Sequence, residues 1–320
     1  MFVEKYLKDL RAKRYRPVAL AEYVSRCARM SASSAWHRPK ALAGVGVAGL
    51  GHLVFLFGLS VTLSFLVDRS LALDYFLVSS WWLTGGLAWI AFHLGMFRTD
   101  ENLPLSGLGL PNFITLGRLL SIPAFYLFIT RHHETLALVA FLGGGLSDVA
   151  DGVAARRLGA STRMGRIFDP VVDVLFNCGI VLGLTHAGYL PGWILALVLV
   201  RYGLLMFGAA WIYVARGPVA VRPTVLGKTT GVITIGLLLG VTFTVHVLPP
   251  EAREQVLELL DSTLGFVLLI TIVQVLIIGF YNMRHAGHVP EAHGALAVVV
   301  GKVSGTEAGE EHDPARKPGA

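Results

Sequence analysis

Eight stretches of about twenty apolar residues divide this 320-residue chain, at roughly 41–66, 75–97, 112–130, 135–154, 168–187, 190–214, 225–247 and 263–284. Twenty helical residues at ~1.5 Å each cross the ~30 Å hydrocarbon core of a bilayer. A backbone in hydrocarbon must satisfy its own hydrogen bonds, which leaves helices or closed barrels, and runs this long and apolar predict helices. Hydrophobic residues make up 54% of the chain and charged ones only 15%, with mean hydropathy +0.63. These values suit a membrane bundle better than a soluble domain. The expected fold class is therefore an all-α, polytopic integral membrane protein of about eight transmembrane helices.

Charge orients the bundle. Residues 1–40 carry ten Lys/Arg against three Asp/Glu, a net of +7, which places them on the cytoplasmic side. Eight spans return the C-terminus to that side. They also put there the loop 155–167, with Arg156, Arg157, Arg163 and Arg166, and the loop 215–228, with Arg216, Arg222 and Lys228. The stretch 248–261 on the far side is acidic overall. No signal peptide is expected ahead of the first span. The location that follows is the cytoplasmic (inner) membrane, multi-pass, with both termini cytoplasmic.

Five parts are expected along the chain. Residues 1–40 mix Phe2, Tyr6, Leu7, Leu10, Tyr15, Leu20 and Tyr23 with cations. They suit either a helix lying on an anionic membrane surface or an extension that only sets topology. Residues 41–97 form two spans whose intramembrane ionisable groups are His52 and His93, read as interface-facing rings or interhelical hydrogen bonds rather than haem ligands. Residues 98–111, with Pro104, Gly107, Gly109 and Pro111, read as a linker, 112–285 as a six-helix block, and 286–320 as a disordered cytoplasmic tail. Cys27 and Cys178 suggest neither a disulfide framework nor a metal site. The basic balance (pI ≈ 9.4) fits anionic lipids and phosphates, and no nucleic-acid motif accompanies it.

The polar residues of the six-helix block are concentrated. Asp148, Asp151, Gly152, Ala155 and Arg156 close one span, and Gly165, Asp169 and Asp173 open the next. Carboxylates beside a bilayer are costly and mark functional sites. At i, i+3 and i, i+4 they lie on two facing helical stripes. Such a set can hold hard divalent cations through oxygen alone, and those cations can in turn neutralise a pyrophosphate. Asp148, Asp151 and Asp169 are spaced to be metal ligands, with Asp173 as a further ligand or a base. Gly152 and Gly165 allow close approach to the helix backbone, Ala155 keeps that face narrow, and Arg156 offers a bidentate cation to a phosphate oxygen. Arg118 lies about two turns inside its helix, level with the aspartates, where it could bind an anion or pair with one of them. Arg201, mid-span, implies a water-filled cavity or an acid partner, such as a buried pair with Asp173.

The run matches D-x-x-D-G-x-x-A-R-x8-G-x-x-x-D-x-x-x-D, and the chain so resembles the CDP-alcohol phosphatidyltransferase family over roughly residues 110–285. Leu110–Arg118 resembles the P-N-x-I-T-x-x-R opening of the phosphatidylglycerophosphate synthase and cardiolipin synthase branch, and the segment Arg222–Thr230, with Gly227 and Lys228, looks like its G-K-x-x-T stretch. The resemblance departs at Val174, where the family usually has Lys, and at Tyr202, where the branch commonly has an acid. It implies a six-helix membrane enzyme, usually a homodimer, that transfers a phosphatidyl group from CDP-diacylglycerol to an alcohol and releases CMP. It implies two divalent ions, Mg2+ or Mn2+, held by Asp148, Asp151, Asp169 and Asp173, with Asp173 as the catalytic base. Gly152, Ala155, Arg156, Gly165, Asn112 and Thr115 would bind the CDP-linked donor, and Arg118, Arg201 and Lys228 an acceptor phosphate. Glycerol 3-phosphate is the first acceptor expected, and phosphatidylglycerol, giving cardiolipin, the alternative. A transporter using its acids as a relay, or a catalytically silent scaffold, is the competing class. A transporter predicts an inverted repeat and broken helices, neither of which the sequence shows.

Overall fold

Proline, glycine and one aspartate set the helix ends. The computed structural model describes residues 9–97, 105, 107–158, 162, 164–216 and 225–285. Arg163, Arg222, the tail 286–320 and most of the 98–111 linker fall outside them. The nine long helices among the described residues are α1 (Pro17–Trp36), α2 (Pro39–Leu66), α3 (Arg69–Phe92), α4 (Leu110–Thr130), α5 (Glu134–Leu158), α6 (Gly165–His186), α7 (Gly192–Arg216), α8 (Val225–Val247) and α9 (Pro250–His285). Eight of these, α2 to α9, are long and apolar enough to cross a membrane. The described residues contain no strand. The protein is thus a polytopic all-α membrane protein, as its hydropathy predicts.

Two boundaries differ from the sequence reading. The second span starts at Arg69 rather than near residue 75, because Asp68 caps it by accepting a 2.7 Å hydrogen bond from the Leu71 N–H. The acidic stretch 248–261 is not a connection but the first turns of α9. Pro250 occupies the start of that helix, where its missing N–H costs nothing, and Glu251 suits the positive end of the helix dipole. At the other end of α6, Gly188 takes φ +80°, and Tyr189 N–H reaches Leu184 O (2.8 Å) while Gly188 N–H reaches Thr185 O (3.1 Å). That double closure ends a helix on a left-handed glycine.

Helix α4 is the centre of the bundle. It packs against α3, α5 and α6 and is the most buried of the spans. Large apolar side chains such as Phe55, Phe65, Trp81, Phe207 and Phe266 face outward. An apolar outer surface of this extent is a membrane-facing one. The pair α2–α3 attaches through small residues: a Cβ on Gly86 would lie 2.6 Å from Leu119 Cδ2 of α4, and one on Gly49 2.6 Å from Leu87 Cδ1. His52 is buried, bonds Ala48 O of its own helix (2.9 Å) and sets its ring 4.1 Å from that of Phe113 on α4. His93 tilts against Trp89 of its own helix at 4.3 Å. Of the two rings, His52 lies at a helix interface.

Residues preceding α2 are tied to the same end of the bundle as the turn between α5 and α6. Arg11 Nε and Tyr15 Oη donate to Val214 O near the end of α7, at 2.7 and 3.1 Å. Arg38 reaches the carbonyls of Leu94 and Phe97 beyond α3. Within the N-terminal segment, Pro17–Trp36 is helical, as α1.

Candidate functional site

Three residues of α4 at intervals of three, Asn112, Thr115 and Arg118, form one stripe of that helix, and all three are buried. The end of α5 brings Asp148 and Asp151 to that stripe, and the start of α6 brings Asp169 and Asp173. The Arg118 guanidinium, only 2% exposed, sits among them. It pairs with Asp148 at 3.0 Å and makes tight ion pairs with Asp151 and Asp173, while its Nε donates to Ser147 Oγ at 3.2 Å. The Thr115 hydroxyl lies 2.9 Å from Asp151 Oδ2 and 3.0 Å from Asp169 Oδ1, so a single side chain bridges α5 and α6. The side chain of Asp148 is 59% exposed and that of Asp151 only 8%, so the cluster opens on the Asp148 side.

Burying such charges is tolerated only when each is paired. Here one guanidinium serves three carboxylates, and the fourth, Asp169, rests on a threonine. A set of four acids against one cation remains a strong attractor for further positive charge. Among the described residues no three His, Cys, Asp or Glu side chains are gathered closely enough to form a metal-ion cage by themselves.

The other expected site residues divide. Asn112 spends its amide on Leu108 O (2.6 Å) and Thr162 Oγ1 (3.2 Å). Thr162 Oγ1 in turn accepts the Gly165 N–H at 2.9 Å, which fastens the start of α6 to α4. A Cβ on Gly165 would fall 2.7 Å from Asn112 Oδ1 and 3.2 Å from Thr162 Oγ1. Gly165 is therefore required by helix packing, whatever else approaches it. A Cβ on Gly152 would meet only the Arg156 guanidinium of its own helix, at 3.3 Å. Arg156 is exposed, and Ala155 half-buried, on the turn beyond the aspartates.

Arg118 does not stand free to receive an acceptor phosphate, because the carboxylates hold its guanidinium. Arg201 does not pair with Asp173. It reaches Thr234 Oγ1 of α8 at 3.5 Å, with its guanidinium 5.1 Å from the ring of Tyr202. Lys228 is exposed in the first turn of α8. Ser147 and Thr162 join the site without having been expected. Ser147 could have been found as the residue four before Asp151 on the same helical stripe. Thr162 sits in a loop, where no periodicity marks it.

The CDP-alcohol phosphatidyltransferase family model matches residues 108–277, more than half of the 320-residue chain. The chain belongs to this family. Among its relatives is a Mycobacterium tuberculosis protein provisionally named a cardiolipin synthase, 34% identical over 134 residues, which cover 42% of this chain and 62% of that protein. A CDP-diacylglycerol–glycerol-3-phosphate 3-phosphatidyltransferase of Aquifex aeolicus is 33% identical over 134 residues, 41% of this chain and 74% of the relative. A cardiolipin synthase (CMP-forming) of Streptomyces coelicolor is 32% identical over 105 residues, 31% and 49% of the two chains. This phosphatidyltransferase-family chain thus spans about three fifths of the first relative, and α2 and α3 lie outside the matched family region. No solved structure matches it.

Proposed function

We propose that this protein transfers a phosphatidyl group from CDP-diacylglycerol to an alcohol and releases CMP, with glycerol 3-phosphate as the acceptor. The observation that carries the reading is the convergence of Asp148, Asp151, Asp169 and Asp173 on one point with a single arginine among them. Family membership supports the reaction class.

The available donors at that point are carboxylates and one hydroxyl. That chemistry fits hard divalent cations, Mg2+ or Mn2+, and the excess of acids over cations fits their charge. Asp148, Asp151, Asp169 and Asp173 would hold two such ions, which supply neutralisation of pyrophosphate charge when bound. The chain's own residues account for the rest. Arg156, beyond the aspartates on the exposed turn, meets a phosphate oxygen of the donor, and Gly152 and Ala155 leave room beside it. The acceptor oxygen bonds to the phosphatidyl phosphorus, the bond from that phosphorus to the CMP oxygen breaks, and the acceptor proton passes to Asp173. Arg118 and Thr115 keep the carboxylates aimed during this exchange, so that positioning and charge supply most of the acceleration. Arg201 and Lys228 are the cations remaining for the acceptor phosphate. Asn112 supports the pocket from behind through Thr162.

The site faces the cytoplasm and the protein works as a homodimer in the inner membrane. Support for the orientation comes from the +7 balance of residues 1–40 (ten cations less three acids), tied to the same end as the site. A second reading, with phosphatidylglycerol as acceptor, is favoured by relatives named as cardiolipin synthases. CMP release from detergent-purified protein, with CDP-diacylglycerol, Mg2+ or Mn2+ and each acceptor separately, tests both. Metal-dependent CMP with glycerol 3-phosphate is the expected result. CMP with phosphatidylglycerol alone selects the second reading, and no CMP with any acceptor from folded protein overturns both.

A further inference from the structure

Helices α3 and α6 both pack on α4, yet between them they leave a half-open cavity of about 460 Å3. Its back wall is Leu119 of α4, the residue next to Arg118. One side is α3, through Trp82, Gly85 and Trp89, and the other is α6, through Phe168, Val172 and Leu175. Trp89 and Phe168, both in the lining, stack at 5.4 Å and 25° at the end nearest Asp169. Trp81, 78% exposed, stands at the outer rim.

Three features identify what such a space takes. Its lining holds no charged side chain, so its occupant is apolar. Its α6 wall is built from Phe168 and Val172, each the immediate chain neighbour of an aspartate of the site, Asp169 or Asp173. An apolar group lodged there is continuous with a polar group held at the carboxylates. It is also elongated: Val78 and Trp89, both in the lining, are eleven residues apart on α3, about 16 Å along the helix axis. A long, narrow apolar space beside a headgroup site and bordered by lipid-facing residues has the shape of a hydrocarbon chain.

We propose that the cavity between α3 and α6 receives one acyl chain of the CDP-linked lipid donor, so that α3, a helix outside the family region, acts as a chain-binding wall of the active site. The inference rests on the phosphatidyl-transfer reading for the identity of the lipid. The donor is the committed occupant because every acceptor considered shares it, whereas glycerol 3-phosphate has no chain to lodge.

Gly85 provides the test. It lines the cavity, and a Cβ built on it meets nothing within 4 Å, so a larger side chain enters the open space without displacing its neighbours. Gly58 on α2 is equally open but lies away from the cavity, which makes Gly58→Leu the matched control. In Gly85→Leu the ratio of KM for dioleoyl to KM for dioctanoyl CDP-diacylglycerol rises about tenfold over wild type, the effect of displacing about two methylenes from an apolar site. In Gly58→Leu the ratio stays at the wild-type value. An unchanged ratio in active Gly85→Leu protein overturns the cavity assignment and leaves the transferase reading standing.

A second measurement does not depend on turnover. CDP-diacylglycerol carrying a photoreactive diazirine in mid-chain is cross-linked to the full-length protein in detergent and mapped by peptide mass spectrometry. Adducts on Trp81–Trp89 that diminish in Gly85→Leu, and that excess unlabelled CDP-diacylglycerol displaces, are the expected result. Adducts displaced equally by phosphatidylglycerol alone assign the space to the acceptor or to bulk lipid and overturn the proposal, as do adducts confined to other helices. If wild type releases no CMP but these α3 adducts form, the reaction reading fails while the lipid site stands.

Discussion

The two ends of the bundle solve the same problem differently. At the end where α5 passes to α6, the buried Arg118 pairs with three carboxylates and Thr115 bonds the fourth, so the central polar contacts there carry charge. At the opposite end the contacts are between aromatic and imidazole groups nearer the surface. Tyr126 Oη and His186 Nδ1 share a 2.5 Å hydrogen bond, Tyr189 Oη donates to Glu134 Oε1 at 3.0 Å, and Arg253 lies 5.1 Å over the Tyr189 ring. Burial, and then the neighbouring Glu134, pushes the Tyr189 phenol up from its ordinary range, so it remains a donor at neutral pH. One ion pair there, Arg131 with Asp74, joins α4 to α3 across exposed side chains. Surface pairs of that kind contribute little, up to about 1 kcal/mol. Buried charge is costly to leave unmatched, so it persists where it acts. The quieter end needs only to hold helices in register.

The sharpest way to break this contrast is Asp169→Asn. Turnover falls about 10^2- to 10^3-fold, the order lost when one preorganised charge-stabilising group is removed from a site. Insertion and monodispersity in detergent stay unchanged, because Thr115 can still bond the amide. Full CMP release from that variant would falsify the role of Asp169. Next in size is Arg118→Met, which strips the guanidinium from three acids. Loss of one partner from a buried pair costs about 3 kcal/mol, read as a lowered thermal midpoint. Added Mg2+ recovers part of that loss, since it restores positive charge to the same carboxylates. A midpoint equal to wild type would mean that the acids do not need Arg118. Gly165→Ala comes third, at about 1–3 kcal/mol, because its methyl group must push Asn112 and Thr162 aside. Asn112→Ala in the same background should relieve part of that cost, and an unrelieved cost would place the strain elsewhere. The smallest effect belongs to the far end. Tyr126→Phe changes stability by less than about 1 kcal/mol and leaves CMP release unaltered. A large loss of activity there would erase the distinction between the ends.

Much of this was legible in the residue order, and the failures have causes. The spans were readable because bilayer thickness demands a long apolar run, and Asp148, Asp151, Asp169 and Asp173 because acids in such runs stand out. The start of α9 was not. Glu251, Glu254, Glu258 and Asp261 lower local hydropathy, which signals the membrane boundary but says nothing against helix. The partners of Arg118 and Arg201 were not legible either. Both are cations in apolar helices, with the same choice of anion or acid. Arg118 pairs with three aspartates because α4 lies between α5 and α6, while Arg201 reaches Thr234 because α7 lies elsewhere.

The sequence by itself determined the all-helical membrane class, the family and the four aspartates, since each follows from composition or from spacing along one chain. Only the tertiary structure decided that Arg118 is the counter-charge of the acids, that Gly165 is a packing requirement, and that α3 stands off α6 to leave a cavity. Those facts depend on distances between helices far apart in the chain, and such distances are set by how side chains from different helices interlock.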